Sequence, residues 1–95
     1  MTDTDKVFME ELKLEFIESV TANMAEMPAL LAANKFEEIA KIAHDIKGTS
    51  GIFGLDEGTD IAKELQYSAQ AKDLEKTERL IAELTSYMRE NGIIK

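Results

Sequence analysis

The stretch AHDIKGTSGIFG, residues 43–54, contains the side chains of this sequence whose types could do chemistry. It holds His44, the single histidine of the chain, and three of the five glycines, Gly48, Gly51 and Gly54. A neutral imidazole can act as a nucleophile, as an acid–base group or as a metal ligand. No metal site is expected, because the chain has neither a second histidine nor a cysteine to complete a ligand set.

Apolar residues keep helical spacing through this stretch, so a helical wheel indicates where His44 points. At about 100° per residue, Ile42, Ile46 and Phe53 fall near the pole opposite His44. Small or polar residues surround the histidine on the wheel: Glu37, Ala40, Lys41, Lys47, Gly48 and Gly51. The wheel therefore predicts an exposed His44 in the middle of a small polar surface, and argues against a buried core histidine.

Two glycines in the helix interior favour a functional role for His44 over the interpretation that it is an incidental surface histidine. Each glycine costs about 1 kcal/mol relative to alanine in a helix, and the wheel turns Gly48 and Gly51 away from the core. Close packing of helices is then not expected to explain them. We expect instead that the bare backbone lets a partner reach the imidazole, and that Ala40 extends this low surface. Lys47, one turn after His44, would place an ammonium group beside an anionic partner or an anionic group bound to the imidazole.

The stretch resembles the signature of histidine-containing phosphotransfer (HPt) domains, roughly A-H-x-L/I-K-G-x-x-x-x-x-G. His44, Lys47, Gly48 and Gly54 fall on the motif positions. The resemblance, which covers essentially the whole chain, implies that His44 carries a phosphoryl group and exchanges it with the aspartate of a receiver domain. It also implies that Lys47 is the electrostatic neighbour of that group.

Family members often place a glutamine on the next helix, about 22 residues after the histidine, and Gln66 occupies that position here. If residues 44–66 form a hairpin of two antiparallel helices, each rising about 1.5 Å per residue, Gln66 lies at about the same height along the hairpin as His44. Gln70 would line the same edge one turn further on. The partner-binding surface is then expected to comprise Ala40, Lys41, Gly48, Gly51 and Gln70.

Composition limits the possible classes of protein. The 95 residues are enough for one domain, residues 1–95, and 19 acidic against 11 basic residues give a formal charge of −8. Such an acidic surface repels nucleic acid and anionic membranes. The start of the chain has no secretory pattern and the chain has no cysteine, so we expect a cytoplasmic protein, and a monomer.

Apolar spacing predicts four helices with short links, which is an all-α, antiparallel up-down four-helix bundle. A first stripe is formed by Phe8, Leu12, Phe16, Val20, Met24, Met27 and Leu31. Pro28 is expected to break or kink this helix near Met27, with or without an extra short helix after the break.

The other helices are bounded by turn residues. The second is predicted to run from about Phe36 to a stop at Gly54, and the third from about Thr59 to Ala71. The fourth is expected to have Asp73 as its N-cap. Its inward residues are predicted to be Leu74, Leu80, Ile81, Leu84, Tyr87 and Met88, and it should end at Asn91-Gly92.

The resemblance therefore implies a phosphorelay intermediate that is a carrier and not an enzyme, and the residues present are consistent with this. The sequence has no glycine-rich nucleotide loop, and no second catalytic group is apparent near His44. The resemblance implies no cofactor on this chain, Mg²⁺ on the partner, and partners that are receiver domains of response regulators or hybrid sensor kinases. A helical adaptor that binds through the same face without phosphotransfer is the alternative. The chain is expected to be free-standing, with a domain cut from a sensor kinase as the other possibility.

Overall fold

The structure, a computed structural model, describes residues 3–95 and consists of helices and short turns. The helices are α1 (Asp3–Ala32), α2 (Phe36–Ile52), α3 (Asp56–Gln70) and α4 (Leu74–Glu90). Each connection is three residues long, at 33–35, 53–55 and 71–73, and the described residues form no strand. Connections this short make consecutive helices antiparallel neighbours.

The antiparallel arrangement is visible in the pairing of α3 with α4. At one end the hydroxyl groups of Ser68 and Thr77 are hydrogen-bonded at 3.0 Å. At the other end Gly58 lies against the ring of Tyr87. Each helix packs against its two neighbours in ring order, and α1 closes the ring against α4. The predicted four-helix bundle is confirmed.

Side chains from all four helices fill the core. The largest fully buried ones are Met27, Ile39, Ile46, Leu65, Leu80, Leu84 and Met88. Burial of one such side chain contributes about 1.5–3 kcal/mol, so the inward stripes are the main source of stability. Phe16 and Phe53 stack with ring centroids 5.0 Å apart, which ties α1 to the end of α2.

Helix α1 runs through Pro28 without interruption, so the predicted break and the extra short helix after it are wrong. Proline removes one backbone hydrogen bond from the helix interior and costs about 3 kcal/mol there. Met27 is fully buried, and Leu30 and Leu31 pack against the core on the following turn. Burial of these side chains offsets the lost hydrogen bond, and the helix continues to Ala32.

The first turns of α1 project beyond the bundle. This helix has 30 residues, whereas its partners have 15 to 17. Its length of about 45 Å accounts for the 46 Å long axis of the molecule. Phe8 therefore has no neighbouring helix and is 59% exposed, contrary to the predicted inward stripe. Leu74, predicted to face inward on α4, is likewise exposed because it lies at the first position of that helix.

Helix ends follow local chemistry at most boundaries. Gly54, with φ +70°, ends α2 as predicted, since this backbone region favours glycine. The Asp73 carboxylate accepts a hydrogen bond from the Lys76 N–H at 3.1 Å, which confirms the predicted N-cap of α4. Helix α3 begins at Asp56, one turn earlier than the predicted Thr59, so Gly58 lies inside its first turn.

Candidate functional site

His44 lies in the middle of α2 and its side chain is exposed, as predicted. Residues three and four positions away on a helix are surface neighbours, with Cβ atoms about 5–6 Å apart. On α2 these neighbours are Ala40, Lys41, Lys47 and Gly48. The histidine is therefore flanked by a lysine on the turn before it and by a lysine and a glycine on the turn after it.

The buried side of α2 is rotated toward α3 relative to the wheel prediction, by about 70° at 100° per residue. Ala40 is only 7% exposed, so it is more buried than its position on the wheel indicates. Ile42, expected in the core, is only half-buried. The wheel prediction placed the buried side of α2 at its large apolar residues. In the structure, α3 covers the flank that carries the small residues Ala40 and Ala43. Lys47 is half-buried on the same flank.

A groove between α2 and α3 brings most of the predicted site together. Five of the predicted residues line it, namely Ala40, Lys41, His44, Gln66 and Gln70. The groove also contains Phe36, Glu37, Ala69 and Lys72. Lys47, Gly48 and Gly51 lie further along α2, outside the groove. We refer to this feature below as the α2/α3 groove.

The approach of Gly51 to Thr59 shows the register of α2 against α3. A Cβ atom placed on Gly51 would lie 3.9 Å from the Thr59 hydroxyl oxygen, so these two residues face each other. His44 precedes Gly51 by seven residues, and Gln66 follows Thr59 by seven. Because both helices rise about 1.5 Å per residue, His44 and Gln66 lie at the same height. The predicted height match is confirmed.

Gln66 presents an unused acceptor in this region. Its side chain is half-buried, and its Oε1 atom is buried without a hydrogen-bond partner among residues 3–95. A hydrogen bond between Gln66 and His44 is therefore not formed in this structure. A buried acceptor left unpaired costs about 1–3 kcal/mol. A hydrogen-bond donor that reached this oxygen would remove that cost.

Neither glycine of the site is closely packed against another part of the bundle. A Cβ atom on Gly48 would meet nothing within 4 Å, apart from its own helix backbone and chain neighbours. At Gly51 the nearest atom would be at ordinary van der Waals distance, and both residues are exposed. Packing within the bundle therefore does not require glycine at either position.

Two residues that reach the α2/α3 groove from one end of the bundle were not predicted from the sequence. Lys72 lies in the turn after α3 with φ +56°, and Phe36 is the first residue of α2. Turn residues that join α3 to α4 lie at the same end of an antiparallel bundle as the start of α2. The predicted helix ends contained enough information to place Lys72 near this groove.

Within the part of the chain that the structure describes, no group of three or more His, Asp or Glu side chains is arranged to hold a metal ion. No helix in the same range is long and apolar enough to cross a membrane.

Comparison with known proteins identifies the family. The family model for the Hpt domain matches residues 11–90, which include all of α2 and α3 and the whole α2/α3 groove. No curated protein and no solved structure shows a significant match to the chain. The matched segment is more than four fifths of the 95 residues. The chain belongs to the Hpt domain family, whose members act as phosphocarrier modules in the phosphorelays of two-component systems.

Proposed function

We propose that His44 is the phosphoryl carrier of this chain and that it exchanges its phosphoryl group with the aspartate of a receiver domain. One observation carries the proposal: the single imidazole of the chain is exposed on α2 and shares the α2/α3 groove with Gln66, whose Oε1 atom is buried and unpaired. An exposed imidazole can be reached by the active site of a second protein. The available acceptor can orient the ring for that encounter.

The proposed transfer needs one nitrogen lone pair and no proton movement. In the tautomer protonated on Nδ1, Nε2 of His44 attacks the phosphorus atom of the aspartyl phosphate. The P–N bond forms while the bond between phosphorus and the aspartate oxygen breaks, and the electron pair of that bond leaves with the carboxylate. Nδ1 keeps its proton, and a hydrogen bond from it to Gln66 Oε1 would hold this tautomer. The reverse reaction returns the phosphoryl group to an aspartate.

Lys47 is proposed to interact with the phosphoryl group. It lies one turn from His44, and its half-buried stem limits the positions that its ammonium group can take. Gly48 and Gly51 leave the surface beside the ring low, so a receiver domain can approach closely. Lys41 and Gln70 are proposed as contacts with the partner at the edges of the α2/α3 groove, and Ala40 forms part of the groove floor.

Catalytic machinery for the transfer is proposed to come from the partner. Mg²⁺ held by the receiver domain would neutralise phosphoryl oxygens during transfer, and no cofactor is assigned to this chain. The partners are receiver domains of response regulators or of hybrid sensor kinases. We propose that the carrier works in the cytoplasm as a monomer.

The test is incubation with a panel of phosphorylated receiver domains. The chain should acquire an acid-labile phosphoryl label from at least one of them, and none from ATP alone. His44→Gln should remain helical by circular dichroism and take no label. Asp45→Asn is the matched control, because Asp45 is the next residue and faces the cleft between α1 and α2. Full labelling of the His44 variant would contradict the proposal, and binding of receivers without any transfer would favour the adaptor.

A further inference from the structure

Four lysines lie around the α2/α3 groove of this acidic protein. Lys41 and Lys72 line the groove itself, and Glu37 is the one carboxylate that does so. Lys47 follows along α2, one turn after His44. The fourth, Lys63, comes from α3. We call Lys41, Lys47, Lys63 and Lys72 the lysine rim.

The position of Lys63 follows from the periodicity of α3. Thr59 faces α2, as its approach to Gly51 shows, and Gln66 lines the groove. Lys63 is four residues after Thr59 and three before Gln66, so it lies on the same stripe of the helix. Its side chain is exposed. Lys63 therefore borders the groove from the side opposite Lys47.

None of these lysines forms an ion pair with another of the described residues. The ion pairs Lys35–Glu38 and Arg79–Glu83 do not involve the lysine rim. On α2, Glu37 lies one turn before Lys41 without forming an ion pair with it, and Asp45 lines the cleft between α1 and α2. Asp60, one turn before Lys63, is turned about 60° further from the groove. All four ammonium groups are free to pair with another molecule.

Charge is strongly segregated as a result. The lysine rim and Glu37 together carry +3, so the rest of a chain whose total is −8 carries −11. A local patch of one sign on a body of the opposite sign orients an approaching charged partner and raises its association rate. The net charge away from the groove therefore opposes the approach of an acidic partner, whereas the charge of the rim favours it.

We propose that the lysine rim is an electrostatic docking surface for a receiver domain whose own surface around its phosphoryl aspartate carries excess carboxylates. The proposal rests on phosphoryl exchange at His44 and adds the chemistry of the partner surface. The rim attracts that surface and the acidic body turns the carrier so that the groove meets it. The imidazole then faces the phosphoryl aspartate at contact.

The experiment uses the full chain and the receiver domain that shows the fastest transfer in the panel. Association rate constants are measured by stopped flow at low and at high ionic strength. The test variant combines Lys41→Glu, Lys63→Glu and Lys72→Glu, and leaves Lys47 in place. The control combines Lys6→Glu, Lys13→Glu and Lys95→Glu, which are exposed residues away from the groove and give the same net charge. Circular dichroism and thermal unfolding confirm that both fold.

The rim variant should associate at least about tenfold more slowly than wild type at low ionic strength, within the range of electrostatic steering. Added salt should slow wild type and speed the rim variant, because attraction and repulsion are both screened. The association rate of the control variant should fall much less. Equal losses of association rate in the two variants would overturn the proposal. It would also be overturned if the rim lysines bound the wild-type chain to phosphatidylglycerol vesicles while their substitution left the receiver association rate unchanged. Failure of the wild-type chain to accept phosphate from any receiver would instead overturn His44 as carrier.

Discussion

Gln66 and His44 reach the same groove from α3 and α2 at equal height, and the Oε1 atom of Gln66 is buried there without a partner. We propose above that this oxygen accepts a hydrogen bond from the Nδ1–H of the imidazole. The relationship between the two side chains leads directly to a test of how the ring is oriented.

Gln66→Ala should slow phosphorylation of His44 by about tenfold, the lower end of the effect of losing a group that orients a metal-binding histidine. Affinity for the receiver domain should change little, because Gln66 is half-buried. The nitrogen chemical shifts of the imidazole report its tautomer and should move toward a mixture. Gln70→Ala, one turn further along α3, is the matched control and should leave the tautomer unchanged. Identical nitrogen shifts in wild type and Gln66→Ala would contradict the orienting role.

Substitutions at Gly48 should separate stability from function. Gly48→Ala should raise the free energy of unfolding by up to about 1 kcal/mol, because it restores helix propensity at a position with open space around its Cβ. Gly48→Gln should keep most of that gain and still slow transfer, since its side chain would obstruct access to the imidazole. Chemical denaturation and transfer rates measure the two effects. Transfer at the wild-type rate in Gly48→Gln would show that the steric explanation is wrong.

Lys47→Met removes a charge and keeps a stem of similar length, so it preserves the packing of this half-buried side chain. In the role proposed for Lys47, the charge acts chiefly when a phosphoryl group is present, and salt weakens its effect by screening. We expect the variant to lose more transfer activity at low salt than at high salt. Gln66→Ala, which changes no charge, should show no such dependence. Equal salt dependence in the two variants would mean that one of the two roles is assigned wrongly.

Gly58→Ala should destabilise the bundle, opposite in sign to Gly48→Ala. A Cβ atom at Gly58 would lie 2.7 Å from Tyr87 Cε1 and 3.2 Å from Cδ1, so the ring must move. Overpacking of this kind costs about 1–3 kcal/mol, and the gain in helix propensity offsets part of it. Denaturant unfolding should show a lower midpoint for Gly58→Ala and a higher one for Gly48→Ala. Shifts of the same sign would contradict the close packing of α3 on α4.

Several features of the fold were predictable because their causes are local. Helix periodicity located the elements, and a glycine with positive φ at position 54 ended α2. The Asp73 carboxylate caps the backbone N–H of a residue only three positions away. The exposure of His44 belongs to the same class, since the polar surroundings on its own helix were sufficient to indicate it.

Which residues of the long helix α1 are buried could not be predicted from the pattern of that helix alone. An apolar residue at position 8 continues the stripe of α1, yet nothing in the stripe tells where the neighbouring helices end. Phe8 is exposed because α1 extends beyond the ends of the neighbouring helices. Pro28 is tolerated for the converse reason: the turns on both sides of it bury side chains in the core, and that gain outweighs one missing hydrogen bond.

The sequence by itself determined the chemistry of the site: one imidazole, a lysine and a glycine one turn away, and a glutamine at matching height on the next helix. Tertiary structure decided which flank of α2 is covered. Because α3 packs on the side of Ala40, that residue forms the groove floor, Lys47 is half-buried, and Lys72 joins the site from a distant turn. A helical wheel gives directions within one helix, whereas burial depends on where the next helix lies, and only the packed bundle contains that information.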